Sequence, residues 1–569
     1  MNPIPLPHPT NHAAWAVWSN PIFRRYCQAR LRLRSAGIAL LLTLLIAGFI
    51  VAMVSSIGTR SFMTPVDAAR SGIIPLLVVQ ALILFVLGTA QVAGGMTAER
   101  DEGVIDYQRL IPMSPLAKVL GYLFGLPVRE YVMVGVTLPF TAWCLWRGQV
   151  AWRIWLPLYA VVLSSALLYH FTGLLTGTVA RNRRWAFLAS IGLVFCLYTI
   201  IPQMAKFGLV FFKYLTITPV FEECLSGLLP NSAGTMVRTA QQLLPTVKFF
   251  NLDFSEAVFT GFSQGGLILT FVIMLCRKWR RAESHLLGKL WATGFFIWIQ
   301  VLLLGNALPL IEPGSLFPTH GLSGFARIVS DWKPQPMEAV AMSGMYGLVT
   351  LGLIFVLGGI ITPSADHQLR GWRRARKQGS AALPLLADAA TAYGWVLVMA
   401  LAGAAGWFLF TRALVGSHWF PGHAVPLSTL GYFAAIMLSC GVGFQALLEA
   451  KGGRVVVLVG ILAGGVPLMV GAVLSAIDGM LATAAWVTGI SPLSLPFYAV
   501  GSLLSLAELP DAVIHAVPQA FYCWLGVCVG AMLLLSWRLL VARRAMAASV
   551  LALPPTLPLK PHQRANPSC

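Results

Sequence analysis

The chain has 569 residues, of which 57% are apolar and only 11% are charged, and its mean hydropathy is +0.76. These values exclude a soluble globular protein and indicate an integral membrane protein. Lys and Arg number 40 against 20 Asp and Glu, which gives a net charge of +20. The nine cysteines form no CxxC pair and no Cys/His cluster at zinc spacing. Neither a disulfide framework nor a metal site is therefore indicated.

Apolar segments long enough to cross a bilayer occur in two groups of six. A spanning helix needs about 20 mostly apolar residues. The first group is 36–57, 72–95, 116–146, 154–180, 185–212 and 258–276, and the second is 290–310, 339–361, 392–411, 427–448, 455–477 and 512–537. The sequence therefore predicts an all-α polytopic membrane protein with about 12 transmembrane helices in two parallel six-helix halves.

One further apolar run, 479–507, contains Gly489, Pro492, Pro496 and Gly501. Proline interrupts a helix because it lacks an N–H group and its ring clashes with the preceding turn. A thirteenth crossing would put the two basic ends of the chain on opposite sides, against the positive-inside rule. We therefore expect a re-entrant or surface-lying pair of short helices on the outer side, with both termini in the cytoplasm.

The twelve-span arrangement puts most of the basic residues on the cytoplasmic side. Short basic turns such as 181–184 and 451–454 are the most informative, because short loops obey the positive-inside rule best. Attraction to anionic lipid of the inner leaflet accounts for such a surface. Membrane lipid, and not nucleic acid, is the expected partner. The Pro-rich segment 1–10 has no apolar stretch before the arginines, which predicts a retained first span and no cleavable signal peptide.

The two groups of six share their internal spacing, which indicates an internal duplication. Each has a basic lead-in before span one, a tight basic turn after span four and a long outer loop before span six. Because six is an even number, both copies have the same orientation, and a transport cavity between them is expected. The predicted segments are a Pro-rich end and lead-in helix (1–35), a first half (36–276), a connector and second lead-in (277–289), a second half (290–541) and a tail (542–569).

Two segments near the amino end combine charge with helical periodicity. In 20–34, helical spacing separates Ile22, Phe23 and Tyr26 from Arg24 and Arg25. Such a helix lies in the inner interface, with its arginines on lipid phosphate or on an acidic protein surface. The alternative is that these arginines serve only to orient the first span in the membrane, which would give the same pattern.

The second segment, 98–115, holds four acids and is stopped by Pro112 and Pro115. A charged helix that is stopped in this way can transmit force from a soluble partner to the spans. A solvated charge run is the alternative interpretation.

These segments resemble the membrane subunits of ABC exporters of the second permease class. The likeness lies in Asn20-Pro21-Ile22 before an arginine-rich lead-in, and in the run 99–103 that continues to Leu110, Pro112, Ser114 and Pro115. It also lies in the six-span plan with a long outer loop before span six. The resemblance implies that both segments contact separate nucleotide-binding ATPase subunits, which would hold ATP and magnesium. It gives this coupling role to Arg24, Arg25, Glu99, Arg100, Asp101, Glu102 and Gly103.

The second half departs from this pattern, because 363–377 is basic where the first half is acidic. Two ATPase contacts are therefore expected to be unequal. No GxxxxGK[ST] motif occurs in the chain. The chain is therefore expected not to be an enzyme and to bind no cofactor itself. The resulting hypothesis is the permease of an ATP-driven exporter in the bacterial cytoplasmic membrane, with one chain replacing two six-span subunits.

Arg129 and Glu130 are adjacent charges inside the predicted third span. Charges in a bilayer usually face protein or water. Adjacent helical residues point about 100° apart, so we do not expect this pair to neutralise itself side by side. The functional interpretation is a pair on the transport path or at a gate, with partners on other helices. The alternative is a structural pair, or a position in the interfacial half of a long span.

Two other functions remain open. An ion-coupled secondary transporter can also have 12 spans, with Arg129 and Glu130 as the ion-coupling pair. A membrane-embedded enzyme would need a cluster of acids or histidines near one interface, and the sequence contains no such cluster. The acidic run 98–115 favours the exporter, because a secondary transporter has no use for it.

Overall fold

A computed structural model describes residues 14–60, 63–179, 182–230, 247–319, 333–380, 382–504 and 511–552. Within these ranges the chain is almost entirely helical, and its one sheet is an antiparallel hairpin of β1 (Val247–Phe249) and β2 (Leu252–Phe254). Eleven of the described helices are long and apolar enough to cross a membrane, and a bent pair makes a twelfth. The prediction of an all-α polytopic membrane protein is confirmed.

The amino-terminal part of the chain contains twelve described α-helices. They are α1 (Pro21–Arg30), α2 (Leu33–Arg60), α3 (Pro65–Ser71), α4 (Ile73–Ala81), α5 (Thr89–Asp101), α6 (Val104–Leu110), α7 (Pro115–Gly125), α8 (Val128–Arg147), α9 (Trp152–Val179), α10 (Arg183–Thr199), α11 (Thr218–Leu228) and α12 (Glu256–Arg280). A π-helix (Leu82–Gly88) joins α4 to α5, and two 3₁₀ helices, Ile201–Phe207 and Val210–Leu215, follow α10.

The remaining part contains ten described α-helices. They are α13 (Lys289–Ile311), α14 (Pro336–Ile361), α15 (Ala365–Lys377), α16 (Tyr393–Val415), α17 (Ser428–Lys451), α18 (Gly453–Val459), α19 (Val466–Ser475), α20 (Leu481–Gly489), α21 (Leu495–Gly501) and α22 (Asp511–Ala552). A second π-helix, Gly460–Gly465, joins α18 to α19.

Short polar side chains fix where several helices begin. Each accepts a hydrogen bond from a backbone N–H of the first turn, which would otherwise lack a partner. The capping residues are Asn20 for α1, Thr64 for α3, Ser114 for α7, Ser255 for α12 and Ser364 for α15. Proline follows three of these caps, at the helical position where its missing N–H does no harm.

Prolines divide two spans that the sequence predicted as single helices. The third span consists of α7 and α8, which meet at a 54° bend beside Pro127. The fifth span ends its α-helix at Thr199, and Pro202 starts a 3₁₀ segment in its place. Both differences follow from the missing N–H group of proline.

Of the run 479–507, residues 479–504 are described and contain the expected pair of short helices, α20 and α21. Side chains satisfy carbonyl groups at this break, as Ser494 Oγ donates to Thr488 O at 2.8 Å and Tyr498 Oη donates to Ala485 O at 2.6 Å. Non-helical backbone at membrane depth requires such partners. Its re-entrant placement on the outer side stays a prediction.

Each π-helix has one carbonyl that accepts a hydrogen bond from a side chain of another element. Leu84 O accepts from His170 Nε2 at 2.9 Å, and Gly464 O accepts from Ser491 Oγ at 2.8 Å. Since a carbonyl only accepts, Nε2 of His170 carries a proton, and Nδ1 lies 2.8 Å from Tyr131 Oη. Both ring nitrogens of this buried histidine therefore have hydrogen-bond partners.

The chain divides into two compact units. The first comprises Met1–Leu287, Trp298–Met342 and Phe410–Ala424, and the second comprises Gly288–Ile297, Ser343–Leu409 and Val425–Cys569. The step from 287 to 288 falls within the predicted connector 277–289. That connector contains the end of α12 followed by turns, and α13 begins at its last residue, Lys289. Of the predicted tail 542–569, residues 542–552 continue α22 and residues 553–569 lie outside the described residues.

Candidate functional site

The amino-terminal helix α1 is anchored on α7 of the first unit. Asn20 accepts a hydrogen bond from Ile22 N at 3.0 Å and donates to Ala117 O of α7 at 2.7 Å. A Cβ atom at Gly121 would lie 2.8 Å from Asn20 Oδ1, so glycine permits this close approach. One side chain therefore caps α1 and attaches it to the third span.

Glu99 is the centre of a side-chain network at the end of α5. Its carboxylate forms an ion pair with Arg25, accepts from Tyr26 Oη at 2.6 Å, and accepts from Tyr122 Oη at 3.2 Å. Only 13% of the Glu99 side chain is exposed. Burial raises the pKa of Tyr26, as does its hydrogen bond to Glu99, so this phenol stays protonated and donates. The network joins α1, α5 and α7.

A buried apolar cluster surrounds this network. Trp279 of α12 stacks on the Tyr122 ring with centroids 5.4 Å apart. The cluster consists of Ile22, Tyr26, Val92, Met96, Ile105, Val119, Tyr122, Leu123, Leu126, Phe171, Leu174, Leu275 and Trp279. Apolar burial and charged hydrogen bonds together fix the lead-in helix. The apolar face of α1 thus packs on protein, and Arg25 pairs with a carboxylate of its own chain.

Arg100 and Asp101 lie at the junction between α5 and α9. Arg100 Nη1 donates to Thr178 O at 3.3 Å and to Gly177 O at 3.4 Å, near the end of α9. A cation near the carbonyl end of a helix is favourable. Arg100 also pairs with the exposed Asp101 at 2.8 Å. Arg100 therefore stabilises the junction.

The turn between α5 and α6 projects exposed side chains. Gly103 has φ +73°, a left-handed conformation that lets the chain reverse direction between the helices. Glu102 is exposed, as are Tyr107 (71%) and Leu110 (81%) of α6. We call the exposed surface formed by Asp101, Glu102, Tyr107 and Leu110 the turn surface. The sequence indicated the two acids but not the aromatic and aliphatic residues, because helical periodicity does not say which face a short helix buries.

The arginines of α1 have different environments. Arg24 is exposed, and its Nε donates to Trp18 O at 2.9 Å. Trp18 packs edge-on against Phe23 with ring centroids 5.4 Å apart. Arg25 instead belongs to the Glu99 network. Of the seven residues given a coupling role, Arg25, Glu99 and Arg100 join elements of the first unit, Arg24 is exposed on α1, and Asp101, Glu102 and Gly103 are in the exposed turn.

Arg129 and Glu130 pair directly with each other. Arg129 Nη2 and Nε lie 2.8 and 3.2 Å from Glu130 Oε1. The expectation that adjacent residues would not neutralise each other is wrong, because the arginine side chain is long enough to reach the neighbouring carboxylate. Glu130 is fully buried, and its Oε2 has no hydrogen-bond partner among the described residues. The pair lies just after the Pro127 bend, in the first turn of α8.

The second unit has its own buried carboxylate, Glu449 at the end of α17. Arg543 Nε of α22 donates to Glu449 Oε1 at 2.6 Å, Gln445 donates to Oε2 at 3.2 Å, and Gln368 of α15 also donates to Oε1. Only 2% of the Glu449 side chain is exposed. This network holds α15, the basic helix that follows span two of the second half. Sequence analysis missed Glu449, because its partners come from three separate segments.

The described residues contain no group of three or more His, Cys, Asp or Glu side chains arranged to hold a metal ion. His418 instead pairs with Glu312, with Nδ1 and Oε2 2.6 Å apart. Comparison with family models, with curated proteins and with solved structures finds no match to this chain.

Proposed function

We propose that this protein is the permease of an ATP-driven exporter in the bacterial cytoplasmic membrane, with both termini in the cytoplasm. Separate nucleotide-binding ATPase subunits, which carry ATP and magnesium, dock on the turn surface of the first unit. The number of apolar helices fits a membrane transporter in general. The resemblance of 20–34 and 98–115 to exporter permeases supports the more specific assignment.

The Glu99 network is the observation that carries the proposal. The turn surface directly continues α5, and Glu99 ties the end of α5 to α1 and α7. A force applied to the turn therefore acts on spans two and three at once. Coupling between distant sites requires a contiguous set of rigid elements of this kind.

The chemistry of the turn surface also suits a protein partner. Tyr107 and Leu110 present apolar area to water, and Asp101 and Glu102 lie at the adjoining turn. Interfaces combine an apolar or aromatic centre with a polar rim. In the second unit α15 is basic, so a second ATPase contact there would be weaker or different in kind.

The test is co-purification of the tagged full-length chain from its native membrane, followed by assay of ATP hydrolysis. The variant Tyr107→Ala/Leu110→Ala removes the apolar centre of the turn surface, and we expect loss of the ATPase and at least about tenfold lower hydrolysis. The matched control is Leu385→Ala/Leu386→Ala, which truncates two exposed leucines of another loop. Equal retention of an ATPase by both variants would contradict the docking surface.

One observation favours the alternative, an ion-coupled secondary transporter. Glu130 is a fully buried carboxylate whose Oε2 lacks a hydrogen-bond donor among the described residues. Such a group is costly unless it takes up a proton or a cation. The alternative replaces the exporter if three results are obtained together. The chain purifies without an ATPase, it shows no ATP hydrolysis, and the Glu130→Gln variant loses ion-driven uptake.

A further inference from the structure

A groove of about 530 Å³ lies between α5 and α10 of the first unit, apart from the turn surface and the Glu99 network. The residues that line it are Ala90, Gln91, Gly94, Arg184, Phe187 and Leu188. Ala90 and Gly94 are one helical turn apart and leave room between the helices. Phe187 and Leu188 are 45% and 58% exposed, so the groove has an apolar wall and opens to the outside of the unit. Its volume is in the range of small-molecule sites.

Two arginines lie at or beside the groove. Arg184 lines it directly. Arg30 Nη1 donates to Gln91 Oε1 at 2.8 Å, and a Cβ atom at Gly95 would lie 3.2 Å from Arg30 Nη2. The Arg30 guanidinium therefore lies against α5 beside Gln91. None of the lining residues is acidic, so the electrostatic preference is for an anion.

Arg184 lies at the expected level of lipid headgroups. Arg184 is in the first turn of α10, and the next residue, Trp185, is 65% exposed. From Phe187 onward the helix is apolar enough to cross a membrane, and only 12% of its most apolar window is buried. Arginine and tryptophan followed by exposed apolar residues is the arrangement found where a helix enters the hydrocarbon region.

We propose that this groove binds an anionic phospholipid, with the phosphate at Arg184 and Arg30 and an acyl chain along Phe187 and Leu188. Charge complementarity selects the headgroup, and the apolar wall selects a lipid over a free anion. The bound lipid would fill the seam between span two, which carries Glu99 near its end, and span five. The proposal does not depend on an ATPase partner.

The test is native mass spectrometry of the delipidated full-length chain, titrated with phosphatidylglycerol and with phosphatidylcholine of the same acyl chains. We expect tighter binding of phosphatidylglycerol, and about fivefold weaker binding in Arg184→Gln. The control is Arg34→Gln, which removes an exposed arginine at the start of α2 and outside the groove. Equal effects of the two substitutions, or equal binding of the two lipids, would overturn the proposal.

A second arm separates the lipid from a free anion. Leu188→Ala should weaken the binding of long-chain phosphatidylglycerol and leave that of a short-chain analogue unchanged, because it shortens the apolar wall. A large excess of inorganic phosphate should not displace the long-chain lipid. Displacement by phosphate would reduce the groove to a simple anion site and overturn the lipid assignment. Unchanged thermal unfolding midpoints without lipid establish that each variant is folded.

Discussion

The Glu99 side chain stabilises the packing of its own chain, independently of any partner. Three side chains hold its carboxylate, so charge reversal there would disrupt the packing of α1 as well as any coupling. Asp101 and Glu102 are the exposed acids of the α5–α6 turn, whereas Asp106, which is also exposed, pairs with Arg109 within α6. Experiments on coupling therefore belong on Asp101 and Glu102 and on their apolar neighbours in the turn surface.

Removal of the Tyr26 hydroxyl tests the Glu99 network. We expect Tyr26→Phe to lower the free energy of unfolding by about 1.5 kcal/mol, because a buried hydrogen bond to a charged group is lost. Tyr122→Phe should cost less, since its hydroxyl lies 3.2 Å from Glu99 rather than 2.6 Å. The exposed Tyr107→Phe is the control, and unfolding midpoints in mild detergent are the measurement. Equal midpoints for all three variants would refute the network.

The buried pair of Glu449 and Arg543 makes a stronger prediction. Glu449→Gln leaves the Arg543 guanidinium buried without its counter-charge, which should cost about 3–5 kcal/mol. The double variant Glu449→Gln/Arg543→Met should recover part of this loss, because neither charge remains. Asp106→Asn, which breaks an exposed pair with Arg109, should change stability by less than about 1 kcal/mol. Additive effects in a double-mutant cycle would count against a coupled pair.

At the scale of elements, two glycines should respond to alanine in opposite directions. Gly103→Ala places a side chain in a left-handed turn and should cost about 1 kcal/mol. Gly135→Ala lies within α8, where a new Cβ meets no atom within 4 Å, and should stabilise by about 0.5–1 kcal/mol. Hydrogen exchange of the α5–α6 turn should quicken only in the first variant. Faster exchange in both would remove the special role of this turn.

The sequence predicted the elements better than their contacts. Long apolar runs identified the spans, because the bilayer requires a continuous helix of about 20 residues. Contacts such as Tyr26 with Glu99 join positions far apart in the chain, and no local pattern encodes them. The pairing of Arg129 with Glu130 was missed for a different reason. The Cα–Cβ bonds of adjacent helical residues point apart, but the arginine side chain is long enough to reach the neighbouring carboxylate.

For the whole molecule, twelve crossings predict the side on which each loop lies. Asn251 of the β-hairpin should face outward, and Lys377 at the end of α15 should face the cytoplasm. In intact cells a membrane-impermeant maleimide should label the Asn251→Cys variant, and should label Lys377→Cys only after permeabilisation. The parent chain sets the background from native cysteines. Labelling of both variants from outside would require a different number of crossings.

The π-helix at Leu82–Gly88 determines how the residues that follow it in span two are rotated about the helix axis. Each residue of an α-helix advances the chain by about 100°. Deletion of one codon within this segment would turn α5 by that angle and leave the span long enough to cross. Glu99 would then leave Tyr26, and Arg100 would leave the end of α9. We expect the shortened chain to insert into the membrane with its α5–α6 turn detached from α1, which faster proteolysis at that turn would reveal.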